Sequence, residues 1–168
     1  EDRRRAYIPR PNWVGQIGDD EFYDACDRAG ILVWQDFMLT VANYPADDPA
    51  FFQQVRAEAE KIVPLLRHHA CIALWCGDNE TVWVLAMYGW DAPDTVNTLG
   101  NEFCTVVFPE VCHALDPHRP YWISCPSGGD FPNSELTGDC HWWWPAFMHA
   151  DMQRRIRHEI FDECRARF

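Results

Sequence analysis

Cys71-Ile-Ala-Leu-Trp-Cys-Gly-Asp-Asn-Glu80 decides how the rest of the chain is to be understood. Residues 72–76 run apolar without interruption, the pattern of a strand buried on both faces. Gly77 breaks that run, and three polar residues, Asp78, Asn79 and Glu80, follow it. In parallel α/β sheets the carboxyl ends of the strands carry the chemistry, on loops held by a packed scaffold. A glutamate at that edge, against an apolar wall given by Trp75, is placed to act as a general acid. The alternative is that Glu80 caps the next helix, whose positive end favours an acidic group.

The same strand-then-polar pattern occurs at residues 31–36, where Gln35 and Asp36 emerge after a short apolar run. Asp36 either reaches a ligand or anchors the next loop. Before it, residues 19–29 read as a helix with an acidic N-cap and Gly30 as its stop, turning Phe22, Cys26 and Ala29 inward. Asp48-Pro49 opens a second helix, which should run to about His68 with Val55, Ala59, Ile62, Val63 and Leu66 inward. His68 and His69 close it, where a cation suits the helix dipole. A third helix is expected over residues 97–115, interrupted by Pro109, and strands over 121–125 and 139–144. The alternation of strands and helices makes the class α/β.

The chain has 168 residues, below the ~250 of a complete (β/α)8 barrel. With 48% hydrophobic and 14% aromatic residues it can build a core. A net charge of −12 argues against nucleic acid as a partner, since that needs a basic face. No apolar run approaches the ~20 residues of a membrane span, and Glu1-Asp2 does not begin a signal peptide. Eight cysteines form no Cys-x-x-Cys and no zinc spacing, so no metal or cofactor is expected. They read as free thiols, several buried in or beside strands, which suits a reducing, cytoplasmic compartment.

Trp75-Cys76-Gly77-Asp78-Asn79-Glu80 resembles the acid/base motif Trp-x-Gly-Asn-Asn-Glu of glycoside hydrolase family 2, on its β-mannosidase branch. Asp78 alone departs from it. Three further segments resemble that branch in the same order. They are Gly30-Ile-Leu-Val-Trp-Gln-Asp-Phe37, Tyr44-Pro-Ala-Asp-Asp-Pro49, and the run from Asp116-Pro117 through Ser127-Gly-Gly-Asp130 to Gly138-Asp-Cys-His-Trp142. The resemblance implies a (β/α)8 TIM barrel of which this chain carries about the third to the sixth strands. Residues 1–18 would be a lead-in from an upstream loop and residues 19–168 a partial barrel domain.

The resemblance also implies a retaining, exo-acting hydrolase of β-mannosides. Glu80 would be the acid/base, and Asn79, Asp36, His141, Trp142, Trp83 and Trp13 would contact the sugar. Trp13, Trp83 and His141 equally read as packing residues. The family's nucleophile, a glutamate normally preceded by serine, would begin just past Phe168, so the rest of the polypeptide or another copy is expected to complete the barrel. The alternatives are a catalytically silent carbohydrate-binding partial barrel, or a relative acting on β-glucosaminides or β-galactosides.

Overall fold

A computed structural model describes residues 16–42, 44–83, 102–128, 132–134 and 136–141. Its centre is a parallel three-stranded sheet in the order β1 (Val33–Asp36), β2 (Ile72–Cys76), β3 (Tyr121–Trp122). Helices α1 (Asp20–Ala29), α2 (Pro49–Leu66) and α3 (Phe108–Leu115) connect and cover it.

Local chemistry sets the ends of these elements. Asp19 accepts the amide of Phe22 at 3.0 Å as the N-cap of α1. Gly30 closes that helix at φ 67°, a left-handed conformation that glycine takes without steric cost. Asp48 caps α2 through the amides of Ala50 and Phe51, and Pro49 fills its first turn, where no N–H is needed. The inward face of α2 is Val55, Ala59, Ile62, Val63 and Leu66, as the periodicity predicts. On α1 the buried pair is Tyr23 and Cys26, while Ala29 is exposed, so the apolar face lies one residue away from that expected.

The third helix differs from expectation in form. Residues 103–107 make a π turn, in which the amide of Phe108 bonds the carbonyl of Phe103. Pro109 accounts for it: its ring cannot donate and crowds the carbonyl four residues back, so the chain widens by one residue before α3 begins. The strand expected over 121–125 pairs only at Tyr121 and Trp122, then resumes as an isolated bridge at Cys125. Of the strand expected over 139–144, residues 139–141 belong to no strand and the remainder lies outside the described residues.

Strand alternation gives the sheet two different faces. Gln35, Trp75 and Tyr121 align across it and point toward the helices. Trp75 is fully buried, its ring stacked on Phe37 at 5.8 Å and its N–H donated to Asp116 at 2.9 Å. Phe37 in turn stacks on Phe108 at 4.1 Å. Trp34, Asp36, Cys76 and Trp122 share the other face, and that face leads to the site.

Candidate active site at the carboxyl edge of the sheet

Beyond Cys76 the strand cannot continue evenly. A side chain at Gly77 would collide with the carbonyl of Ile123, the hydroxyl of Tyr121 and Cys104, so only glycine lets β2 end this close to its neighbour. A second tier of pairing follows. Asn79 bridges Thr40 on one side and Cys125 on the other, through Asn79 N–H to Leu39 O (3.0 Å), Val41 N–H to Asn79 O (3.1 Å) and Cys125 N–H to Asp78 O (3.0 Å). The amide of Glu80 then donates to Cys125 O at 2.6 Å.

That clamp holds Glu80 at φ 67°, an uncommon conformation for a residue with a side chain. Among the described residues, Val41 and Asn133 are the other non-glycine residues with positive φ, and both contact this edge. Glu80 is buried, 8% exposed, and its Oε1 lies 2.5 Å from His141 Nδ1. His141 is itself fixed: its amide donates to Asn133 Oδ1 at 2.5 Å, and its carbonyl accepts Asn133 Nδ2 at 3.1 Å. A single proton can sit on either partner of the Glu80–His141 pair. The pair can therefore present a protonated acid or an ionised base.

Around it stand carboxylates held by tryptophan N–H groups. Trp34 Nε1 donates to Asp36 Oδ1 at 2.9 Å, and Trp122 Nε1 to Asp139 Oδ1 at 2.7 Å. The two indoles meet edge to face at 6.5 Å. Ser127 N–H also donates to Asp139 Oδ1, at 2.9 Å. Asp139 Oδ2 faces the thiol of Cys125 at 2.9 Å, and that thiol lies 2.9 Å from His141 Nε2.

Asp78 points elsewhere. Its carboxyl receives the hydroxyl of Ser124 at 2.5 Å and the thiol of Cys104 at 3.5 Å. Burial in that pocket pushes its pKa up to about 6 against the pull of those hydrogen bonds. In the family motif an uncharged asparagine occupies this position, which fits a site that does not welcome charge.

The expected site residues are thus partly brought together. Glu80 and His141 are in direct contact, and Asn79 supplies the backbone bridge while its amide reaches Thr40 Oγ1 at 3.4 Å. Asp36 is buried on the sheet face leading there, and Trp83 is buried, in keeping with its packing alternative. Trp13 and Trp142 lie outside the described residues. The wall expected from Trp75 is a correction: its ring belongs to the helix-side core, and the Glu80 carboxylate meets His141. His69, expected to close the second helix, follows its end at Leu66 and is buried, with its ring 2.8 Å from Asp27.

Trp122 and Cys125 were not singled out from sequence, whereas Asp139 belongs to the Gly138–Trp142 segment that carries the resemblance. Trp122 is legible afterwards, because β3's register puts it on the face of Asp36 and Cys76. Cys125 has no sequence signal, since its neighbours come from 14 and 16 residues away. The described cysteines are free thiols, buried except for Cys140, which is exposed.

No family model matches the chain. It is 38% identical over 142 residues to β-mannosidase B of Thermothelomyces thermophilus, covering 78% of this chain and 16% of that protein. It is 36% identical over 167 residues to β-mannosidase B of Aspergillus fumigatus, covering 93% and 19%. Among solved structures it matches the β-D-mannosidase of Dictyoglomus thermophilum with a TM-score of 0.69 and 43% identity, over 83% of this chain and 17% of that one. The chain therefore spans less than a fifth of the length of these relatives. On likeness in sequence and in coordinates together, the chain belongs to the β-mannosidase-like branch of glycoside hydrolase family 2.

Proposed function

We propose that this chain supplies the acid/base half of a retaining β-mannosidase active site, with Glu80 as the proton donor. The observation that carries this reading is the placement of Glu80. It is held left-handed at the carboxyl end of β2, in hydrogen-bond contact with His141. Nothing in packing alone calls for a buried glutamate in that conformation, and strained, buried titratable groups cluster at sites that use them.

In the first step Glu80 protonates the glycosidic oxygen as the bond to the aglycone breaks. In the second it takes a proton from the water that releases the glycosyl-enzyme. His141 follows the change by switching tautomer. With its proton on Nε2, its Nδ1 accepts from the protonated carboxyl. After that proton has gone to the glycosidic oxygen, the imidazole proton, exchanged through solvent to Nδ1, is donated to the ionised carboxylate. The second carboxylate of the pair, about 5–5.5 Å away in retaining enzymes, comes from the part of the family's length that this chain does not span. That part also supplies the remaining strands of the barrel, of which β1–β3 are middle members. Asn79 and Asp36 meet sugar hydroxyls at the edge where their strands end.

The test is a comparison of aryl β-mannoside, β-glucosaminide and β-galactoside hydrolysis by the intact protein. Preference for the mannoside is expected. A clear preference for either other sugar overturns the substrate assignment, and no turnover of any of the three favours a silent binding module.

A further inference from the structure

We propose that Cys125, Asp139 and His141 form a binding site for one thiophilic divalent cation of the zinc class. Their ligating atoms, Sγ, Oδ2 and Nε2, all lie within 4.8 Å of one another. The thiol is 2.9 Å from both other atoms. The thiols of Cys71, Cys76 and Cys104 make longer contacts, of 3.5–3.6 Å. A thiol is a weak donor and acceptor, whereas a cation takes a lone pair from each of the three groups at once.

The surrounding residues are arranged as they are around bound metals. Asp139 Oδ1 is occupied by Trp122 Nε1 and Ser127 N–H, which turns Oδ2 toward the sulfur. His141 Nδ1 faces the carboxylate of Glu80 at 2.5 Å, so Nε2 is the nitrogen directed at the thiol. A carboxylate behind a ligating imidazole fixes its tautomer and raises its basicity. Metal–ligand lengths of about 2.3 Å to sulfur and about 2.1 Å to nitrogen ask for a tetrahedral S···N separation of about 3.6 Å. The ligands must therefore open by roughly 0.7 Å from the observed 2.9 Å, within reach of side-chain rotation. Thiolate and imidazole select zinc over magnesium or calcium.

Binding releases two protons to solvent, that of the Cys125 thiol and one of the two carried by the Glu80–His141 pair in its acid form, and leaves sulfur as thiolate. His141 is then neutral, with its proton on Nδ1, donated to an ionised Glu80. This consequence rests on the proton-donor reading of Glu80: a glutamate locked as an acceptor cannot protonate a leaving group. The cation is thus a reversible inhibitor, acting hardest on substrates with poor leaving groups.

Titrating the intact, metal-free protein with Co2+ tests the site without reference to activity. One equivalent should bring up a thiolate-to-cobalt charge-transfer band, which Zn2+ abolishes and Mg2+ leaves in place. The band should vanish in Cys125→Ser and persist in Cys140→Ser and in Asp27→Asn, which alters the second candidate metal-ligating cluster among the described residues, Asp24, Asp27 and His69. Persistence in Cys125→Ser, or loss in Cys140→Ser, overturns the assignment. Zinc-edge X-ray absorption on the unsubstituted protein decides the matter should Cys125→Ser fail to fold. One sulfur with nitrogen and oxygen supports the site, and an all-oxygen shell refutes it. Zinc binding with undiminished turnover would keep the site and break its link to Glu80.

Discussion

Two histidine–carboxylate pairs stand at opposite ends of β2, and they do different things. At the amino end Asp27 Oδ2 lies 2.8 Å from His69 Nδ1, and its Oδ1 accepts the amide of Cys71 at 2.6 Å. At the carboxyl end Glu80 Oε1 lies 2.5 Å from His141 Nδ1. The chemistry of the two contacts is nearly the same, and the backbones differ. Asp27 sits in the regular last turn of α1 and ties that helix to the entrance of β2. Glu80 sits at φ 67°, on an edge where strands deliver polar groups. A carboxylate in relaxed backbone, with both oxygens engaged by structure, is a fastener. One held in a costly conformation beside a histidine is the better candidate for chemistry.

The sharpest way to break this contrast is to neutralise each carboxylate in turn. Glu80→Gln should lower hydrolysis of mannosides with poor leaving groups by about 10²–10⁴-fold, and that of activated aryl mannosides far less in the first step. Its thermal unfolding should barely move, because glutamine keeps an acceptor for His141. Equal losses on both substrate classes would remove Glu80 from the acid role.

Asp78 extends the contrast to pH. Burial, resisted by the hydrogen bonds from Ser124 and Cys104, holds its pKa at about 6, against 3.8 for the unfolded chain. Between those values the folded state holds a proton that the unfolded state has lost. This contribution to stability is therefore full below about pH 4 and falls away as pH rises through about 6. The difference corresponds to roughly 3 kcal/mol at neutral pH. Asp78→Asn should recover much of that near pH 7 and flatten the slope between pH 4 and 6, measured by denaturant titration. An unchanged slope would mean that another group titrates there.

Asp27 should show the opposite sign and a smaller effect. Its burial raises the pKa, but the hydrogen bonds from His69 and Cys71 outweigh it and the net shift is downward from 3.8. Its stabilisation is thus present above pH 4 and lost as pH falls below it. Asp27→Asn should cost about 1.5–3 kcal/mol at pH 7, the usual worth of hydrogen bonds to a charged group. It should leave the leaving-group dependence of turnover untouched. A leaving-group effect from Asp27 would erase the distinction drawn between the two ends.

Much of this was legible in the sequence, for identifiable reasons. The inward face of α2 is five residues at strict helical spacing, and local periodicity is enough to place them. The strand at Ile72–Cys76 and the polar turn to Glu80 follow from an apolar run broken by glycine. The partner of Glu80 did not follow, because His141 is 61 residues away and no local pattern encodes that distance. The same holds for His69, whose place beside His68 suggested a helix end while Asp27, 42 residues earlier, claims its ring. The π turn before Pro109 needed the structure as well, since a proline announces an interruption without saying how the chain absorbs it. Local elements were readable, and contacts across the fold were not.

The smallest effect belongs to Asp24, and it tests how far the Asp27–His69 pair extends. Asp24 lies 4.0 Å from His69 Nδ1 and 3.8 Å from Arg28 Nη1, so geometry alone places it in a network with them. Its side chain is 56% exposed, however, whereas that of Asp27 is 27% exposed. An exposed carboxylate at that range is solvated and screened, and such pairs contribute a few tenths of a kcal/mol. Asp24→Asn should therefore change stability by about 0.5 kcal/mol or less, and by less still in high salt. In a double-mutant cycle with Asp27→Asn the two costs should add. A large coupling would show that Asp24, Asp27 and His69 act as one unit, and the amino end of β2 would then hold a charge network in place of a single fastener.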